Sequence, residues 1–245
     1  MARLSVNLNK IALLRNSRRT GVPDLSAFAT AAIEAGARGI TVHPRPDERH
    51  IRRADVPALA RLLGPHRPAI ELNIEGYPDA RLLDIAREVR PEQCTLVPDA
   101  PDAFTSEKGW ELDAAQGALA RPAIATLKAL GARVILFIDP DPAVVPRVAA
   151  SGADGIEIYT GAYAAAFRGG GHAALLDACA ATAEAARAQG LAVNAGHDLN
   201  LRNLPPLVAR IPFLSEASIG HELTADALMI GFAAAVAAYA AALRG

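Results

Sequence analysis

The sequence of 245 residues predicts an α/β protein in which eight parallel strands close into a barrel. Three observations predict this class: eight short apolar runs are spread along the chain, helical patterns separate them, and glycines recur where helices end. Eight strand–helix units within about 250 residues are typical of a (β/α)8 TIM barrel. No linker rich in Pro, Gly or Ser divides the chain, so we expect a single domain over residues 1–245, with extra helices.

The strands are predicted from the apolar runs, which we interpret as lacking a strict alternation with polar residues. Such a pattern is typical of parallel strands that are buried on both faces. The runs lie at residues 4–7, 39–42, 69–74, 93–97, 133–138, 155–158, 191–194 and 213–219.

Helices are predicted where apolar residues recur near i, i+3 and i+4, as at residues 25–35, 56–63, 80–89 and 173–189. Glycine follows several of the helices directly before the next strand and is expected to adopt the left-handed cap, at Gly36, Gly131, Gly152 and Gly190. Residues 105–119 and the Ala-rich tail after Gly231 exceed a minimal barrel. The tail could close the barrel bottom, contact another subunit or pack into the core as an ordinary helix.

The composition excludes several classes of protein. A formal charge of −1, with 51% hydrophobic and 21% charged residues, is that of a globular chain without a basic tail for nucleic acid. Two cysteines without a C-x-x-C pair argue against a disulfide framework or a cysteine-rich zinc site. The start of the chain has no signal-peptide pattern, and the apolar stretch at 232–243 is shorter than the ~20 residues of a membrane span. We therefore expect a cytoplasmic protein.

Polar or permissive residues occur at the ends of all eight predicted strands, where barrel enzymes gather their chemistry. They are Asn7 and Lys10, His43 with Arg45 and His50, Glu75, Asp99, Asp139, Glu157, Asn194 with His197, and Gly220 with His221.

Two of these carboxylates leave a choice of roles. Glu157 stands between two isoleucines, where an unpaired carboxylate inside the barrel would cost several kcal/mol. We therefore expect Glu157 to be paired or catalytic. Asp139 precedes a proline and is as well suited to capping a helix as to chemistry.

Phosphate binding has two candidate places. The loops after strands seven and eight, with Gly196-His197 and Gly220-His221, are the pair that commonly binds phosphate through backbone N–H groups in barrels. A group of arginines, Arg18, Arg45 and Arg49, is the second candidate.

Several sequence blocks in chain order carry a resemblance to a known family. They include VNLNKIA at 6–12, LRNSR at 14–18, GITVHPR at 39–45, NIEG at 73–76, IEIYTG at 156–161, VNAGH at 193–197 and IGH at 219–221. Together they resemble the pyridoxine 5′-phosphate synthase family (PdxJ) over nearly the whole chain.

The resemblance implies a ring-closing, transferase-class enzyme of vitamin B6 biosynthesis. Such enzymes condense 1-deoxy-D-xylulose 5-phosphate with 3-amino-2-oxopropyl phosphate to pyridoxine 5′-phosphate, and they release inorganic phosphate and water. The resemblance further implies that no metal or organic cofactor is needed. It also implies a homo-octamer whose contacts use the extra helices.

The resemblance assigns catalytic roles to four residues: His43 and Glu75 as bases, His197 as proton donor, and Glu157 as the carboxylate that stabilises cationic intermediates. It assigns substrate contacts to two groups. These are Arg45, His50 and Thr105 for the deoxyxylulose phosphate, and Asn7, Arg18, Gly220 and His221 for the aminoketone phosphate.

Two departures from the family pattern affect substrate contacts. Asn9-Lys10 stands where many members have Asp-His, and we expect both residues to touch the sugar phosphate. Asp198 stands where glycine is common, and we expect a backbone contact there with the carboxylate turned away from phosphate.

The implied reaction agrees with the residues present, because ring closure consists of proton transfers for which His and a tuned Glu are suited near neutral pH. Two alternatives stay open. One is a barrel aldolase or isomerase that forms a Schiff base through Lys10. The other is a non-catalytic barrel that binds a phosphorylated ligand.

Overall fold

The computed structural model describes residues 1–99 and 108–244 and contains a closed barrel of eight parallel strands. Each strand pairs with the next along the chain, and the eighth pairs with the first. The strands are β1 (Arg3–Asn7), β2 (Gly39–Val42), β3 (Glu71–Gly76), β4 (Gln93–Leu96), β5 (Arg133–Ile138), β6 (Gly155–Tyr159), β7 (Ala192–Gly196) and β8 (Glu216–Ile219). The predicted barrel is confirmed, with every strand at or within a few residues of its expected place.

Helices surround the barrel and begin and end largely where local sequence signals place them. They are α1 (Asn9–Asn16), α2 (Leu25–Glu34), α3 (Asp55–Leu63), α4 (Ala80–Val89), α5 (Ala114–Ala129), α6 (Val145–Ser151), α7 (Gly161–Gly169), α8 (Ala173–Ala188), α9 (Leu204–Arg210), α10 (His221–Ile230) and α11 (Phe232–Ala242). A short 3-10 helix, Gly64–His66, follows α3. All four predicted glycine caps have positive φ angles, from 74° at Gly190 to 111° at Gly36.

Most strands alternate between apolar residues that face the helices and polar or small residues that face the barrel interior, whereas β5 also places Ile135 and Phe137 inside. On β3, Leu72 and Ile74 are fully buried on the helix side, whereas Glu71, Asn73 and Glu75 face inward. Inward-facing side chains bond across the barrel, as Gln93 of β4 does with Glu216 of β8. The prediction that the strands are buried on both faces is confirmed, since every residue of β2, β4 and β8 is buried.

The Ala-rich tail forms α11, which packs against α10, α2 and β1. Ala235, Val236 and Tyr239 are fully buried there, and the Tyr239 hydroxyl donates to Asp226 Oδ2 at 2.7 Å. Of the alternatives for this tail, these contacts are those of a helix that packs into the core. Within residues 1–99 and 108–244, no helix is long and apolar enough to cross a membrane.

Candidate active site

Two of the predicted catalytic side chains meet where β2 and β3 end. His43 follows β2 and Glu75 lies on β3, and the two strands pair in register through Val42 and Ile74. The Nδ1 atom of His43 is 3.9 Å from Glu75 Oε2, and both side chains are largely shielded from solvent. The barrel therefore brings the two expected bases into contact.

Burial changes the titration of both groups in a direction that suits proton transfer. Burial, together with the charges of Arg45 and His50, holds the pKa of His43 well below its ordinary value, so the ring is neutral near pH 7. Burial raises the pKa of Glu75 to about 7, against the opposing charges of Arg45 and His197. A neutral imidazole thus stands beside a carboxyl group that can take and give a proton near neutral pH.

The turn between β1 and α1 is bonded to both of these groups. Asn7 Oδ1 accepts the backbone N–H of Asn9 at 2.9 Å, and Asn7 Nδ2 donates to Glu75 Oε2 at 3.3 Å. Asn9 Oδ1 accepts the backbone N–H of His43 at 2.9 Å. The oxygen of Asn9 is thus engaged by the protein, and only its amide nitrogen is left for the expected substrate contact.

Glu157 lies on β6, inside the barrel and almost fully buried. Its Oε2 atom has no hydrogen-bond partner among the described residues, although it is cut off from solvent. Burial and the nearby charges of Glu75 and Glu216 raise the pKa of Glu157 well above its ordinary value. A Cβ atom at Gly196 would lie 2.1 Å from Glu157 Oε1, so a larger residue there would displace this carboxyl group. Of its two expected roles, the unpaired oxygen supports the catalytic one.

His197 follows β7 at the end of the barrel where the strands end, which we call the mouth, and its charge lowers the pKa of Glu75. Its ring stands nearly perpendicular to Tyr159, with the ring centroids 5.0 Å apart. The Thr160 hydroxyl donates to the carbonyls of Gly196 and His197, at 2.7 and 2.6 Å. His197 Nδ1 is 3.4 Å from Asp198 Oδ2, so the Asp198 carboxylate is directed to the histidine.

The loop after β2 carries Arg45 and His50. Arg45 NH2 is 3.2 Å from Asp99 Oδ2, and Arg81 of α4 donates to the carbonyls of Pro44 and Arg45. Sequence analysis missed both partners of Arg45, because Asp99 and Arg81 come from other strand–helix units and no local spacing relates them to the loop.

His50 is held in one neutral tautomer. Its Nδ1 accepts the backbone N–H of Ile51 at 2.9 Å, which places the ring proton on Nε2. Burial and the charges of Arg45 and Lys10 lower its pKa to about 4. The His50 ring lies 6.1 Å from that of His43, between centroids. A neutral donor at this mouth is suited to hydrogen bonding an uncharged or anionic substrate oxygen.

Gly220 and His221 begin α10 beside β1. A Cβ atom at Gly220 would lie 3.0 Å from the Cβ of Asn7, so a larger residue would separate the helix from the Asn7 turn. Among the described residues, no side chain caps the first turn of α10. Its backbone N–H groups are therefore suited to binding an anion, as predicted for this loop.

Other predicted residues lie apart from this cluster or outside the described chain. Arg18 is exposed after α1, and its side chain has no hydrogen bond or ion pair with described residues. Lys10 is exposed on α1, although its charge reaches His50.

Asp139 does not cap α6, whose N-cap is Val144. Thr105 lies outside the described residues. Within the described ranges, no group of three His, Cys, Asp or Glu side chains is placed to hold a metal ion.

Solved structures similar to this chain share its fold. Tryptophan synthase from M. tuberculosis matches with a TM-score of 0.66 at 14% identity, over 99% of this chain and 93% of that one. A phosphoribosyl anthranilate isomerase matches with a TM-score of 0.57 at 13% identity, over the full length of both chains. At these identities the similarity shows the barrel fold alone.

Sequence relatives are much closer and cover the whole chain. Pyridoxine 5′-phosphate synthase of Brucella anthropi is 51% identical over 243 residues, which is 99% of each chain. The enzyme of the same name from Allorhizobium ampelinum is 51% identical over 238 residues, 96% of this chain and 95% of that one. The sequence model of the family described as pyridoxal phosphate biosynthesis protein PdxJ matches residues 4–245. The chain therefore belongs to the PdxJ family.

Proposed function

We propose that the chain is a pyridoxine 5′-phosphate synthase that condenses 1-deoxy-D-xylulose 5-phosphate with 3-amino-2-oxopropyl phosphate. The products are pyridoxine 5′-phosphate, inorganic phosphate and water. The observation that carries the proposal is the pairing of a neutral His43 with a Glu75 carboxyl group whose pKa is about 7, 3.9 Å apart in the barrel mouth. The sequence relatives carry the same activity in their names.

The reaction is a series of proton transfers, and the mouth supplies groups for each direction. The amine of the aminoketone attacks a carbonyl group, and loss of water leaves an imine. His43 and Glu75 then remove protons, and His197 donates one to a departing oxygen. Burial raises the pKa of Glu157, and a cationic intermediate that forms beside it would favour its ionised form, so the two charges would stabilise each other.

The two substrate phosphates require two anion sites. The first turn of α10, with Gly220 and His221, fits one phosphate. The family resemblance assigns Arg18 to the same phosphate. Arg45 and His50 fit the other substrate, which Thr105 completes by family resemblance. Lys10 and the amide nitrogen of Asn9 add donors on the same side, where the family resemblance places the sugar phosphate.

The Schiff-base alternative has little support from the position of Lys10. A lysine that acts as a nucleophile needs a lowered pKa, which barrels obtain by burying the amine or by placing another cation beside it. Lys10 is exposed on the first turn of α1, so its amine keeps its hydration. Binding a substrate anion is the role that this position favours.

The test is an assay of the purified protein with both phosphates, read from the absorbance of the pyridine product. We expect product only when both substrates are present, and loss of turnover by orders of magnitude in His43→Ala. Borohydride with either substrate should leave Lys10 unmodified. An adduct on Lys10 would instead support an aldolase. Thermal stabilisation by the substrates without product would support a binding protein.

We also propose that the chain assembles into a homo-octamer and acts in the cytoplasm. Consecutive apolar residues at the end of α10 support an interface there, because Leu228, Met229 and Ile230 are 77%, 85% and 53% exposed in the single chain. Met229→Glu should shift the mass measured by sedimentation towards smaller assemblies. An unchanged mass would place the contacts on other helices.

A further inference from the structure

Two consecutive residues after β7 have left-handed backbone although neither is glycine. The φ angle is 86° at His197 and 58° at Asp198. Side chains disfavour this region, and glycine occupies it at no steric cost. Asp and Asn are among the few other residues that tolerate it. An Asp at a position that suits glycine indicates that its carboxylate has a functional role.

The Asp198 carboxylate is directed to the ring of His197. Its Oδ2 atom lies 3.4 Å from His197 Nδ1, and both side chains are about three-quarters buried. The contact with His197 and the charges of Arg168 and His221 keep the pKa of Asp198 below its ordinary value. The carboxylate is therefore ionised throughout the neutral range.

The backbone around this pair is fixed from both sides. The Thr160 hydroxyl donates to the carbonyl of His197 at 2.6 Å. Asn203 Nδ2 donates to the carbonyl of Asp198 at 3.1 Å, and Asn203 Oδ1 accepts the N–H of Asn200 at 2.7 Å. Because these bonds hold the turn, the distance between the carboxylate and the ring is set by the fold.

We propose that Asp198 is a positioning residue for the proton donor, a role that rests on the proposed function. Its carboxylate pairs with the Nδ1–H of His197, fixes the rotation of the ring and stabilises its protonated form, while Nε2 is left to deliver the proton. In that step the Nε2–H bond breaks and an O–H bond forms on a hydroxyl group of the intermediate. The C–O bond breaks with its electron pair going to the oxygen, which leaves as water. The imidazolium becomes a neutral imidazole, and its Nδ1–H still donates to the Asp198 carboxylate.

Other charged or titratable groups also lie around this ring and Asp198. Glu75 of β3 and Tyr159 of β6 are on the barrel side, and Glu157 lies against the adjacent Gly196. Arg168 of α7 and His221 of α10 act on Asp198 from the outer side. Asp198 is the carboxylate in direct contact with Nδ1, so its removal should change the ring more than the others do.

The test compares Asp198→Asn and Asp198→Gly with the unchanged chain, using kcat and KM for pyridoxine 5′-phosphate formation from pH 5 to 9. Both replacements tolerate left-handed backbone, so both remove the carboxylate without straining the turn. We expect kcat to fall about tenfold or more in both, as when the carboxylate partner of another catalytic histidine is neutralised. The alkaline limb should move to lower pH, because the ring loses its proton more easily, and KM should change little. Asp177→Asn, an exposed carboxylate that pairs with Arg210, is the control.

Three results would overturn the proposal. The first is unchanged kcat and pH profile in both variants. The second is a loss in Asp198→Asn that Asp198→Gly restores, which would show a backbone role. The third is a rise in KM alone, which would show substrate binding. If the unchanged chain itself makes no product, the proposed function fails. The ¹⁵N spectrum of His197 then still tests the pairing, since Nδ1 should carry the proton at pH 7 and lose that preference in Asp198→Asn.

Discussion

Glu71 and Glu75 lie on the same strand and both face the barrel interior, yet their surroundings differ at the two ends of β3. Glu71 begins β3 at the floor, which is the end of the barrel where the strands begin. Its oxygens accept hydrogen bonds from Arg3 at 2.9 Å and from Arg133 at 2.6 Å. These partners lower its pKa despite burial. Glu75 at the mouth has no ion pair with an arginine among the described residues, and burial raises its pKa to about 7. A glutamate therefore forms ion pairs at the start of β3 and can exchange protons at its end, according to its neighbours.

The floor is a hydrogen-bonded network in which Arg3 and Arg133 both pair with Glu71. Arg133 also donates to Gln93 Oε1 at 2.6 Å, and Gln93 Nε2 donates to Glu216 Oε1 at 2.9 Å. At the mouth, by contrast, Glu157 has an oxygen without a partner among the described residues. Unpaired buried groups are costly, so their concentration at one end marks that end for chemistry.

The largest expected effect is that of Glu75→Gln on turnover. The amide keeps the shape of the side chain but cannot accept a proton, so kcat should fall about 10²–10⁴-fold. The melting temperature should stay the same or rise, because a buried ionisable group is removed. The measurement is product absorbance together with thermal unfolding. Turnover like that of the unchanged chain would remove Glu75 from the proton transfers.

Glu71→Gln is the matched change at the floor and should affect stability rather than turnover. The change leaves Arg3 and Arg133 without the carboxylate that they share. The free energy of unfolding in urea should therefore fall by about 1–3 kcal/mol. This is less than for a fully buried pair, because both arginines are partly exposed. At 25 °C kcat should be unchanged. Because the pKa of Glu71 is lowered, its stabilisation is complete above the ordinary pKa of Glu and is lost as pH falls through the folded-state value. The stability of the variant should therefore lack this acid-sensitive contribution. A large loss of kcat in the folded variant would contradict the assignment of stability to the floor and of proton transfer to the mouth.

The smallest effect is expected from Glu157→Gln on stability. Since folding raises the pKa of Glu157, the unfolded chain ionises first, and stability decreases as pH rises from about 4 towards the folded-state value. The amide removes this loss, so the melting temperature at pH 8 should rise by about 2–4 °C, or about 1 kcal/mol. Below pH 4 the difference should disappear. A difference that is independent of pH would show that packing and not charge is responsible.

Sequence analysis predicted the parts of the site that depend on strand order. His43, Glu75 and His197 each follow or end a strand, and a parallel barrel gathers such residues at one mouth. The contacts of Asn9 with the His43 amide and of Asp198 with His197 were not predicted, because they depend on turn geometry and side-chain rotation.

The floor was missed for a different reason. The alternation of Glu71, Leu72, Asn73, Ile74 and Glu75 was present in the sequence, but on most other strands small inward residues weakened it. The partner of Glu71 on β5 could not be found from periodicity, since it becomes a neighbour only when the sheet closes.

Gly196 has a consequence for how this chain can vary. The space that a methyl group would occupy there is filled by an oxygen of Glu157, at 2.1 Å from the position of a Cβ. Any substitution at 196 must displace that carboxyl group, so residue 196 decides where the acid of β6 can lie.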